Sequence, residues 1–106
     1  MTKKQYNVRL AQRADKMLLM HTEFLAKASI AAARRLLVDF KKATKLLADN
    51  PFIFPFADEL DAPGMPPEMY RKCVFDKRYK AFYLVEGNNV FIDAIIDCRQ
   101  ENAGLY

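Results

Sequence analysis

The chain has 106 residues, 52% of them hydrophobic, with eight Phe, five Tyr and only three Gly. This is enough for one core and too little for two, since domains commonly run to roughly 100–150 residues, and it excludes a disordered chain. The net charge of +4 is unevenly spread: residues 1–48 hold eleven Lys and Arg against three acids, whereas residues 49–68 hold five acids and no base. A basic body of this kind attracts a polyanion or an acidic partner segment, and it is equally what a solvated basic surface looks like.

Residues 5–10 alternate so that Tyr6, Val8 and Leu10 share one face, the period of a half-buried strand. From about Arg13 the period changes. Ala14, Met17, Leu18, His21, Phe24, Leu25 and Ala28 then recur at helical spacing and predict an amphipathic helix. Ser29 is placed to cap a second helix, whose stripe is Ala33, Leu36, Leu37, Phe40, Ala43 and Leu47, with Arg34, Arg35, Lys41, Lys42 and Lys45 largely opposite, and which stops before Asn50-Pro51. So short a junction predicts an antiparallel helix hairpin, its shared stripe laid on one face of a sheet.

All five prolines fall between Pro51 and Pro67, among Phe52, Phe54, Phe56 and the acids. Irregular connections of this length are uncommon in small domains; this one either plugs the end of the core with its aromatics or shields and shapes a site. Residues 69–76, 79–86 and 90–97 then read as three strands joined by turns at Asp76-Lys77-Arg78 and Gly87-Asn88-Asn89, an antiparallel meander. The expected architecture is a domain of strand, helix, helix and three strands, with the helix hairpin packed on an antiparallel β-sheet.

No apolar run approaches the roughly 20 residues of a membrane span, and the N-terminus lacks a signal-peptide core, so a cytoplasmic, membrane-free chain is expected. Cys73 and Cys98 form no CxxC or His/Cys cluster and read as small apolar core residues, with neither a metal nor a cofactor expected. Dinucleotide, P-loop and nucleophile-elbow signatures are missing, and the single histidine, His21, lies within the apolar stripe of the first helix, where a packed or rim role is expected rather than catalysis.

What remains is a basic and aromatic set on the meander: Tyr70-Arg71-Lys72, then Lys77, then Arg78-Tyr79-Lys80-Ala81-Phe82-Tyr83, then Asp97-Cys98-Arg99-Gln100, with Tyr106 at the end. In order and spacing, with the leading strand, the Ala-rich helix hairpin and the Asn-Pro stop, the chain resembles the RelE/ParE toxins of bacterial type II toxin-antitoxin systems over essentially its whole length. The resemblance implies a toxin neutralised by a cognate antitoxin, expected to present an acidic, partly disordered segment. It implies one of two targets. RelE-like members cut mRNA on the ribosome, a reaction that needs a base for the 2′-hydroxyl, donors for the phosphorane and an acid for the leaving oxygen. On that reading, to which the sequence leans slightly, Arg71, Lys80, Arg99 and Tyr106 are the catalytic candidates of a metal-independent endoribonuclease, with Lys72, Lys77 and Arg78 binding RNA or target. ParE-like members instead inhibit DNA gyrase without turnover. Cys73 and Phe75 stand where the nucleases are basic, and Lys80 where they usually carry arginine with its bidentate fork; both departures favour the gyrase reading or an inactive relative. The plain structural reading of these residues pairs Arg71 and Arg99 with Asp93 or Asp97 and lets Tyr106 pack.

Overall fold

The computed structural model describes residues 5–98. Its elements are β1 (Asn7–Leu10), α1 (Gln12–Ala28), α2 (Ile30–Asp49), β2 (Arg71–Phe75), β3 (Tyr79–Glu86) and β4 (Asn89–Asp97). This is the α+β order expected. The helices are parted by the single residue Ser29, whose Oγ accepts a hydrogen bond from the Ala32 N–H at 3.1 Å and so satisfies one orphan donor of α2. At the far end Asn50 leaves the helix with its Oδ1 accepting from the Phe52 N–H at 3.1 Å, and Pro51 cannot extend the ladder.

The four strands form one sheet in the order β1-β4-β3-β2. β2, β3 and β4 make the antiparallel meander, but β1 lies parallel to β4, so the sheet is mixed rather than antiparallel throughout. The reason is covalent: no hairpin turn ties β1 to a neighbour, and the long path through two helices allows a parallel return. The apolar stripes are also narrower than the sequence pattern suggests, since Phe24, Ala28 and Leu37 are exposed.

The sheet is covered on both faces. On one, Ala14, Leu18 and Leu25 of α1 and Ala33, Leu36, Ala43 and Leu47 of α2 pack against Cys73, Phe75, Tyr79, Ala81, Tyr83, Val90, Ile92 and Ile95. Each large aliphatic side chain buried there contributes about 1.5–3 kcal/mol. On the other, Ala57, Ala62 and Met65 of the 50–70 connection cover Phe82, Ala94 and Ile96. A β-bulge makes the two faces compatible. Phe82 pairs with Ala94 but Tyr83 with Ile92, leaving Asp93 as the extra residue, so Ile92 and Ile95 both face the helices although an odd number of positions separates them. The connection also extends the sheet edge, for Phe56 bridges to Arg71 in antiparallel sense, with the Ala57 N–H donating to Tyr70 O and the Lys72 N–H to Pro55 O.

Candidate functional site

The described strands and turns that carry the candidate set do not deliver its residues to one place. Arg71 stands at the β2 edge on the register position opposite Tyr83. Its Nη1 donates to Phe54 O at 2.7 Å and Phe52 O at 3.4 Å, and its guanidinium lies 4.0 Å from the Phe56 ring centroid and 5.5 Å from that of Phe52. Tyr83 holds the same stretch from below, its hydroxyl donating to Pro51 O at 2.6 Å. Burial pushes the Tyr83 phenol up, despite the nearby Arg71 charge. Arg71 and Tyr83 thus fasten residues 51–56 to the sheet, and the Phe rings serve that clamp as well as the end of the core.

Arg78 belongs to the helix side. Its Nη2 donates to Asp97 Oδ2 at 2.9 Å, with Asp97 buried, and its guanidinium sits 4.9 Å from the Tyr79 ring centroid. Asp97 reaches that side only because the bulge at Asp93 reverses the alternation of β4. The Arg71–Asp97 and Arg71–Asp93 pairings expected from sequence are replaced: Asp97 takes Arg78, and Asp93 accepts from the Tyr70 hydroxyl at 3.4 Å. Lys77 is exposed on the β2–β3 turn, where it and Asp76 adopt positive φ. His21 is packed at the rim as expected, its Nε2 2.8 Å from Ile95 O and its ring against Tyr79. Arg99 and Tyr106 lie outside the described residues.

Two candidates do converge, on a residue that sequence reasoning passed over. Lys72 of β2 and Lys80 of β3 project from the face opposite the helices, and both bind Asp61 of the connection: Lys72 Nζ lies 2.9 Å from both carboxylate oxygens and Lys80 Nζ 2.7 Å from Oδ1. The Asp61 side chain is only 2% exposed, against 26% and 25% for the two lysines. The Asp58 N–H completes the set at 2.9 Å from Oδ2. Burial alone would raise the Asp61 pKa, but the bonds from Lys72 and Lys80, the Asp58 N–H and the charge of Lys80 more than reverse it, from an ordinary 3.8 to about 2. The signal available in the sequence was the run of acids between basic segments; the pairing itself depends on how the connection folds back.

The linkage has a definite sign. A carboxyl whose folded pKa is depressed adds stability above its unfolded pKa and loses it as pH falls through the folded one. We expect hydrogen-exchange protection of the 57–65 amides, corrected for intrinsic rates, to hold down to about pH 4 and to fall off towards about pH 2. Protection that fades already between neutral pH and 5 would contradict this assignment.

Other chemistry is scarce. Cys73 is buried and its thiol pushed up to about 11 by burial, and burial raises Cys98 as well, so neither thiol is an activated nucleophile. Among the described residues no group of three or more His, Cys, Asp or Glu could hold a metal, and no helix is long and apolar enough to cross a membrane. On the outer flank of α1, Met17, Met20, His21, Glu23, Phe24 and Lys27 line, with Asp97, an open groove of about 450 Å³.

A family model described as the ParE toxin of the type II toxin-antitoxin system parDE matches residues 8–102. Among curated proteins no relative matches. In fold the chain is similar to one from a solved structure of the chromosomal ParDE TA system from P. aeruginosa, with a TM-score of 0.67 and 15% identity, over 89% of this chain and 97% of that one.

Proposed function

The chain belongs to the ParE toxin family of type II toxin-antitoxin systems, and from that premise we propose that it arrests growth by binding DNA gyrase without turnover rather than by cutting mRNA. The observation that carries this reading is the Lys72–Asp61–Lys80 cluster. Phosphodiester cleavage by a 2′-hydroxyl needs a base, an acid and cationic donors around one phosphate. Here Lys80 is engaged by a carboxylate beneath the chain's own connection, and Arg71 is engaged by main-chain carbonyls at the sheet edge. Tyr79 and Tyr83 are buried, with pKa values raised chiefly by that burial, and His21 lies on the helix side. The positions held by Cys73 and Phe75 are part of the core and carry no charge to a substrate. A binding toxin needs none of these groups to converge.

The mRNA-cleavage reading has one observation in its favour, the closeness of Lys72 and Lys80, and it requires the covering segment to leave them and Arg99 and Tyr106 to join them. The partner implied by family membership is a cognate antitoxin. The exposed Arg34, Arg35, Lys41, Lys42 and Lys45 of α2 suit an acidic segment, and the apolar groove on α1 suits the hydrophobic anchors of a chain that folds on binding. The test of target is induced expression in a bacterial host with mRNA 5′ ends and plasmid topology followed in parallel. We expect relaxed plasmids and broken chromosomes with messages intact; codon-phased breaks in translated mRNA preceding any change in topology would overturn the reading.

A further inference from the structure

We infer that the outer surface of the 50–70 connection, with Leu60 as its anchor between exposed acids, is the face by which the chain seats on a basic surface of its protein target. The identity of the target rests on the gyrase reading; the contact face and the charge of the surface that meets it are added here.

Leu60 is 95% exposed, the most exposed large hydrophobic side chain among the described residues. A lone surface leucine on a loose loop needs no explanation. This one is held out by a built turn. The Leu60 N–H donates to Asp58 Oδ1 and the Asp58 N–H to Asp61 Oδ2, each at 2.9 Å, while the Asp61 N–H closes on Asp58 O at 3.0 Å. Asp61 is in turn fixed to the sheet by Lys72 and Lys80. The leucine is pre-organised, so seating it in a partner's pocket loses little chain entropy. Other apolar groups accompany it. The Ala57 N–H donates to Tyr70 O at 2.7 Å and ties the two ends of the connection together, so that Glu68 and Met69 leave the sheet beside Asp58. Met69 is 49% exposed, and Glu68 is exposed at φ 54°, a left-handed conformation that is strained for any residue but glycine.

Charge selects the partner. Asp58, Glu59 and Glu68 are exposed and residues 49–68 contain no Lys or Arg, whereas the first 48 residues carry eleven of the chain's seventeen. An acidic antitoxin segment is drawn to the basic helices and repelled from this side. A surface that receives Leu60 needs an apolar pocket with cations at its rim. An enzyme that grips DNA presents Lys and Arg to the phosphates, and so carries a surface of that charge. The polarised chain meets it with its acidic side foremost.

The test measures binding of the fluorescently labelled full chain to purified gyrase, first without DNA and then with a short duplex added. Leu60→Ser should weaken binding at least about tenfold, as loss of a central anchor does, yet melt with the parent because the side chain is not buried in the fold. Glu59→Lys combined with Glu68→Lys should weaken it by a similar factor at low salt, the difference shrinking as salt is raised. Glu86→Lys, a charge reversal at the exposed end of β3, should leave binding unchanged, and the duplex should compete with the chain. Binding that survives both Leu60→Ser and the paired reversal, that falls equally with Glu86→Lys, or that the duplex leaves untouched would overturn the proposal. So would a free chain that sediments as two or more copies and returns to one with Leu60→Ser, which would assign the face to a second copy. If the parent chain does not bind gyrase, the gyrase reading fails while the face stays testable: Leu60→Ser at matched protein level should still relieve growth arrest, and undiminished arrest overturns it.

Discussion

Replacing Phe82 with alanine is expected to lower stability by about 3–5 kcal/mol, the range for truncating a fully buried aromatic side chain. Phe82 has no exposed surface and is the largest side chain in the cluster between the sheet and the 57–65 cover. Its neighbours there are mostly alanines, which cannot collapse into the space it leaves, so the upper part of the range applies. The variant should melt well below the parent and lose exchange protection first at residues 57–65, because Phe82 is the largest buried side chain against which they pack. Phe52→Ala is the contrast: that ring is 51% exposed, and its loss should cost no more than about 1 kcal/mol. Equal losses from the two variants would show that the cover is not packed as described.

The second large effect falls on the other side of the sheet. Asp97→Ala removes the carboxylate that faces Arg78 and leaves a guanidinium with only 21% of its side chain exposed. Breaking a buried ion pair from one side costs about 3–5 kcal/mol, and the partial exposure of Arg78 places this case near the lower end. One guanidinium N–H, Nε, is already buried without a hydrogen-bond partner among the described residues, so losing Asp97 compounds an existing deficit. At this chain length the melting temperature should drop by roughly 10–20 °C. Combining Asp97→Ala with Arg78→Met should restore much of the loss, since no uncompensated guanidinium is then left half-buried. If the double variant is no more stable than the single one, the damage arises from the lost Asp97 contacts and not from an uncompensated Arg78.

These two sites show how far the sequence could be read. The helix hairpin was legible because Ala14, Leu18, Leu25, Leu36 and Leu47 repeat at helical spacing and Ser29 and Asn50-Pro51 punctuate it. β3 was legible to the residue because its alternation is bounded by turn formers on both sides. The face that each β4 residue takes was not, since the bulge at Asp93 changes the alternation midway and leaves no local trace. That single irregularity sends Asp97 to Arg78 and removes it from the reach of Arg71. Nor was the parallel seat of β1 legible, because it depends on a crossover and not on a turn.

The candidate site was half legible for a related reason. Basic residues at 71, 72, 78 and 80 were visible, as was the acidic character of the 49–68 connection, but pattern alone does not say which acid meets which base. Asp61 is separated from Lys72 by eleven positions and from Lys80 by nineteen, across an irregular segment whose path no period describes. The alternation of β2 and β3 nevertheless already put Lys72 and Lys80 on faces opposite Cys73 and Ala81; what it lacked was which face the helices would take. Once Cys73, Phe75 and Tyr79 are seen in the helix core, the two lysines must lie under the connection.

A toxin that acts by holding its target and not by cutting RNA should declare itself when purified gyrase supercoils relaxed plasmid in the presence of the purified chain. Supercoiling is expected to fall as the protein is titrated towards the gyrase concentration and to recover when a cognate antitoxin is added, while messenger RNA incubated on ribosomes with the same preparation stays whole. Unimpaired supercoiling at excess protein, with that messenger cleaved, would contradict it.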